Sequence, residues 1–259
     1  MAPDDKRKEH AGEAALGLRP DAGPILRRPT LRTLGAAGRG AILYRSLKVG
    51  LGFLLRMLYR VRAEGVENVP SAGPVVIAAN HASFVDSVLL PLCVPRQMVF
   101  LAYAGFFKRW WSGWFFRSLG LIPVSRGTGG ATVVEAGVEA LRAGRVLGIF
   151  PEGTRSPDGR VYRGHTGVAR IAQRSGTAIV PAGLIGIHEI MPRSSVFPKP
   201  RGRVVLRFGR PILPGDGDDR AALRVLTDRV MAAIAELTGQ EQVEDYAGVT
   251  GEVLPAPEV

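Results

Sequence analysis

The stretch GPVVIAANHASFVDSVLLPLCV, residues 73–94, reads as a strand, a tight turn and a helix in succession. Its first part, GPVVIAAN (73–80), is short, apolar and β-branched, and it follows a Pro-Ser-Ala-Gly turn, so it reads as a buried strand. SFVDSVLLPLCV (83–94) then reads as a helix. Cys93, the single cysteine, sits in its apolar run as a small buried residue. A buried strand that feeds a helix is the building unit of an α/β domain.

The same alternation continues along the chain. QMVFLAYA (97–104), LGLIPVSRG (119–127), RVLGIFPEG (145–153), TAIVPAGLIGI (177–187) and GRVVLRFGRPI (202–212) each contain an extended apolar segment. Between them, GGATVVEAGVEALRAG (129–144) and GVARIAQRSG (167–176) show helical spacing and end at glycine, a normal C-terminal signal. DDRAALRVLTDRVMAAIAEL (218–237) is a long amphipathic helix. The expectation is one α/β domain over 63–240, with a mixed, largely parallel sheet flanked by helices. Residues 1–38 read as a disordered basic tail, 39–62 as an amphipathic membrane-associated helix, and 241–259 as an acidic C-terminal tail. There is no internal repeat.

Charge narrows the partners. The chain carries +11, and from Pro24 to Val61 it has eight Arg or Lys and no Asp or Glu. Such a block seeks nucleic acid or acidic lipid headgroups. Here it is interleaved with bulky apolar residues and no nucleic-acid motif accompanies it, which favours lipid. AILYRSLKVGLGFLLRMLYRV (41–61) is interrupted by Arg45, Lys48 and Arg56, too often for the roughly 20 apolar residues of a bilayer span. It fits a helix lying in a membrane interface. GFFKRWWSGWFFR (105–117) holds all three Trp beside Lys and Arg, a composition suited to the headgroup layer. No secretory signal is visible at the N-terminus. One cysteine and four scattered histidines supply no metal-ligand spacing, so no metal and no bound cofactor is expected.

In open α/β sheets, sites collect beyond the carboxyl ends of strands. Asn80-His81 and Phe150-Pro151-Glu152 both follow strands directly. Two readings fit His81 and Asp86. A carboxylate that holds one imidazole nitrogen makes the other a better base. Alternatively, Ser83 caps the helix and Asp86 stands at its third position, as in a capping box. FPEGTRS (150–156) ends a strand in a tight loop. There Gly153 permits close backbone approach, Arg155 can fork onto phosphate oxygens, and Glu152 can accept from a hydroxyl or anchor an Arg. The SPDGR that follows is a strong turn signal, so a plain connection also fits. GLIPVSR (120–126) places Arg126 after an extended segment.

With those residues in view, the chain resembles the 1-acylglycerol-3-phosphate acyltransferases, within the glycerolipid acyltransferase superfamily. NHASFVD, GLIPVSR, FPEGTRS and IVPAGL (179–184) resemble the family's four blocks, in its order, over about residues 55 to 215. The resemblance implies His81 as the general base for the acceptor hydroxyl, with Asp86 orienting it. It implies Arg126 as the ligand of the acceptor phosphate, and Glu152, Gly153, Thr154 and Arg155 as the shape of the acceptor site. Lys108 falls where the family often keeps a basic residue near the phosphate, and Pro181 near the acyl donor. It further implies direct attack on a thioester without an acyl-enzyme. The donor would be acyl-CoA or acyl-carrier protein, and the acceptor lysophosphatidic acid. The enzyme would sit on an anionic membrane surface, peripheral or monotopic on its cytoplasmic face. Where many members carry Lys-Gly after the third block, this chain has YRGHTG. Other lipid acceptors remain open. So do a hydrolase, for which the Gly-x-Ser-x-Gly elbow is missing, and a non-enzymatic binder.

Overall fold

The structure, a computed structural model, describes residues 46, 49, 50 and 52–248, apart from 108–119, 125–128, 196 and 218. Nine strands are described: β1 Arg62–Glu64, β2 Val75–Ala79, β3 Met98–Tyr103, β4 Leu121–Val124, β5 Val146–Ile149, β6 Val161–Tyr162, β7 Ile179–Ile185, β8 Val205–Phe208 and β9 Gln242–Val243. The helices are α1 over residues 52–59, α2 Asp86–Cys93, α3 Gly129–Arg142, α4 Gly167–Ser175, the single turn α5 Ile187–Ile190, and α6 Arg220–Thr238. The expected tail 1–38, the aromatic–basic run from Lys108 onward and Arg126 lie outside the described residues.

Seven strands form one sheet in the order β1-β8-β7-β2-β5-β3-β4. All neighbours are parallel except β7 and β8, so the sheet is mixed and largely parallel, as expected. The apolar run that decides the fold is its centre. β2 pairs with β5 on one side and β7 on the other, and all five of its residues are buried. A strand covered on both faces has no reason to alternate polar with apolar residues, which is why VVIAA reads as one continuous run.

The pleat divides that strand between two cores. Val75, Ile77 and Ala79 join the cluster with Leu89, Leu90 and Tyr59. Val76 and Ala78 join the opposite cluster with Val138, Leu141, Ile171, Val230 and Met231. Thus α3, α4 and α6 cover one face, and α1 and α2 help cover the other. Among the described residues no helix is long and apolar enough to cross a membrane.

Three short strands escaped the sequence reading. β1 is three exposed residues, Arg-Ala-Glu, on the sheet edge against β8. β6 and β9 pair as a separate two-stranded ribbon, Val161 with Gln242 and Tyr162 with Val243. The stretch read as the start of an acidic tail at 241 therefore opens with a strand laid against the body of the domain.

Candidate active site

β2 ends at Ala79 and the chain turns out of the sheet at its carboxyl end. His81 lies on that turn, and Asp86 is the first residue of α2. The imidazole Nδ1 is 2.9 Å from Asp86 Oδ2. Asp86 is fully buried, whereas the His81 side chain keeps 17% of its surface exposed. The same Asp86 oxygen accepts the main-chain N–H of Ala82 at 2.6 Å and of Ser83 at 2.7 Å. Two main-chain donors already on that oxygen leave it no proton to offer, so the contact with His81 is made by an Nδ1–H and the lone pair stands on Nε2.

Asp86 makes contacts that belong to each reading of this pair. Asp86 receives the N–H of Ser83, as a capping box requires, and it also holds His81. Two details are corrected: Ser83 is not the side-chain cap of α2, and Asp86 is its first residue rather than its third. Val85 is the N-cap residue, and Ser83 Oγ accepts from the Val85 N–H instead, at 3.3 Å. The helix enters through a short turn, with Asp86 N–H donating to the Ser83 carbonyl.

The loop after β5 grips the backbone of His81 from both sides. The His81 N–H donates to Glu152 Oε1 at 2.9 Å, and the His81 carbonyl accepts the Ser156 N–H at 2.6 Å. Glu152 is fully buried, and its other oxygen accepts the Tyr162 N–H at 3.3 Å. Its carboxyl is therefore turned to two main-chain amides rather than to an acceptor hydroxyl or to an Arg, the two partners expected from the sequence. Burial pushes this carboxyl up to about 8. The two amides oppose the rise, and the charges of Asp86 and Asp158 add to it.

The ring of His81 is held as firmly as its backbone. It stacks on Phe150 at 4.1 Å between centroids, nearly parallel, and Phe150 stacks on Phe100 at 5.8 Å. Gly148 makes room for this column, since a Cβ there would lie 2.4 Å from Phe100 Cε1. Phe150 was legible only as part of a motif; its role as the platform under His81 needed coordinates.

The remaining candidates divide. Gly153 has φ +72°, in the left-handed region, and a Cβ on it would press to 3.0 Å of His165 Cδ2. Thr154 and Arg155 are half-buried on the loop between Gly153 and Ser156. Arg193 Nη1 donates to the Arg155 carbonyl at 3.2 Å, a partner not foreseen from sequence. Pro181 is buried within β7, opposite Ala78. Lys108 and Arg126 lie outside the described residues.

Comparison with known proteins gives the geometry its relatives. Residues 60–185 match the family model described as acyltransferase. The chain is 33% identical over 181 residues to a chloroplastic 1-acyl-sn-glycerol-3-phosphate acyltransferase of Arabidopsis thaliana, covering 69% of this chain and 49% of that protein. It is 27% identical over 199 residues to a 1-acyl-sn-glycerol-3-phosphate acyltransferase of Bacillus subtilis, covering 75% and 96%. The chain thus spans about half the length of the plant relative and nearly all of the bacterial one. The crystal structure of the 1-acyl-sn-glycerophosphate acyltransferase from Thermotoga maritima superposes with a TM-score of 0.58 at 24% identity, over 80% of each chain, a likeness of fold.

Proposed function

The chain belongs to the acyltransferase family through its residues 60–185, and on that premise we propose that it acylates 1-acylglycerol-3-phosphate from a thioester, giving phosphatidic acid. The observation that carries the chemistry is the His81–Asp86 contact at 2.9 Å, which puts the lone pair on Nε2 of a partly exposed ring. That nitrogen takes the proton of the acceptor hydroxyl as its oxygen attacks the thioester carbonyl. Asp86 stabilises the imidazolium that forms. The tetrahedral intermediate collapses, the C–S bond breaks, and the imidazolium returns its proton to the leaving thiolate. No acyl group passes through the protein. The donor is acyl-CoA or acyl-carrier protein. Arg126, Arg155 and Lys108 supply the cations for the acceptor phosphate.

Acceptor and product both reside in a bilayer, and α1 has the surface for one. Residues 55, 58 and 59 turn inward: Tyr59 is buried, with Leu55 and Leu58 packed against its cluster. The opposite side carries Phe53, Leu54 and Met57, with Phe53 69% and Met57 68% exposed. Phe84, on the turn between His81 and Asp86, is 61% exposed. A helix with one apolar side in the core and another in solvent suits an interface between water and lipid, and it supports a peripheral or monotopic enzyme. We assign it to the cytoplasmic face.

The test is thiol release from acyl-CoA by detergent-solubilised protein, with and without lysophosphatidic acid, beside His81→Ala. Release that needs the acceptor and disappears in the variant supports acyl transfer. Wild-type turnover by His81→Ala removes the base from the proposal, and release without acceptor replaces it with a thioesterase.

A further inference from the structure

Asn80 closes β2 one residue before His81 and is 3% exposed. Its carboxamide does what a strand's main chain ordinarily does. Oδ1 accepts the Leu184 N–H at 2.7 Å, and Nδ2 donates to the Leu184 carbonyl at 3.0 Å. The parallel ladder between β2 and β7 runs from Val76 with Ile179 to Ala79 with Ala182. One residue further, the main chain has left the sheet: the next amide, that of His81, goes to Glu152 and its carbonyl to Ser156. The side chain of Asn80 therefore occupies the rung that the departing backbone vacates.

A third contact fixes which way the amide points. Nδ2 also donates to Gln240 Oε1 at 3.3 Å, from the residue after the α6 cap Gly239. A flipped amide would set NH₂ against the Leu184 N–H, and oxygen against both the Leu184 carbonyl and Gln240 Oε1. Only one orientation satisfies all three partners. Leu and Ala offer neither group, and Asp offers an acceptor where the Leu184 carbonyl needs a donor.

We propose that Asn80 is a positioning residue for His81, its carboxamide extending the β2–β7 ladder by one rung so that the chain leaves the sheet at a fixed point. The role rests on the acyl-transfer reading, because it is His81 as base that needs the fixed point. A base displaced by about 1 Å loses on the order of 10²-fold in rate. Gln240 takes part from beyond α6, which ties the C-terminal segment to the catalytic turn.

The experiment uses the full chain in detergent and two readouts. The first is kcat and KM for lysophosphatidic acid. The second is the ¹⁵N-histidine NMR spectrum, with the His81 signals assigned against His81→Ala; the chain has four histidines. Asn80→Ala is expected to lower kcat roughly 10- to 100-fold with acceptor KM little changed. It is also expected to lose the protected Nδ1–H signal of His81. Gln240→Ala, on a half-exposed residue, is expected to lower kcat by a few-fold and to shift the same signal in the same direction. Wild-type kcat in a folded Asn80→Ala overturns the proposal. So does a lost kcat with an unchanged His81 spectrum. Should Asn80→Ala not fold, an unchanged His81 signal in Gln240→Ala overturns it. Should the wild type fail to acylate lysophosphatidic acid, the spectra still decide whether Asn80 fixes His81, so the two readings fail separately.

Discussion

Glu152→Gln isolates the cost of the buried carboxyl behind His81. The ordinary value of 4.5 is raised to about 8 by burial in the folded chain. Between those values the folded state keeps a proton that the unfolded state has released, so stability falls as pH rises. It is highest below 4.5, and the loss is complete once pH passes about 8, where the charged form must stay buried. Over the whole interval the loss is about 5 kcal/mol, and between ~pH 5.5 and ~pH 8 about 3 kcal/mol. Gln removes the titration. It keeps an oxygen for the His81 N–H but turns an NH₂ toward the Tyr162 N–H, a penalty that does not vary with pH. The quantity to measure is therefore the difference between wild type and variant, not either stability alone. Urea unfolding of both proteins at ~pH 5.5 and ~pH 8 should show wild type losing about 3 kcal/mol more than the variant on the way up. Parallel pH dependences would refute the reasoning, because they would mean that Glu152 ionises in the folded chain as easily as in the unfolded one.

Three further outcomes are expected. Asp86→Asn keeps an oxygen for the Ala82 and Ser83 amides but gives up the charge opposite the imidazolium, so kcat in the thiol-release assay should fall about 10²-fold or more, with a smaller loss in thermal stability. Gly148→Ala drives a methyl into Phe100 and tilts the column that carries His81; a melt should show a loss of about 1–3 kcal/mol, and kcat should fall with it. Phe53→Asp with Met57→Asp strips the outward face of α1, each exposed side chain being worth roughly 1.5–3 kcal/mol when buried in lipid, so co-sedimentation with anionic vesicles should weaken at least tenfold while the thermal midpoint stays unchanged.

What could be read in advance followed from local physics. β2 is apolar throughout because both its faces are covered. The α3 and α4 helices are followed by Gly144 and Gly176 in left-handed conformations, which only glycine adopts without strain. The turn from His81 to Asp86 is short enough for its hydrogen bonds to be guessed from spacing. What could not be read joins residues far apart in the chain. β1 has no apolar pattern because it lies exposed on an edge, and its partner β8 is about 140 residues away. β6 and β9 are two residues each, below any periodicity. Glu152 shows the same limit at the site. In a loop beside an Arg, a carboxylate reads as a group for substrate, because a sequence does not reveal that Glu152 is fully buried or that two amides converge on it. The motif residues therefore divide by what they touch: His81 keeps exposed surface, while Asp86 and Glu152 face inward and hold it. Substitutions at the inward pair should register in stability as well as in rate, whereas His81→Ala should register chiefly in rate.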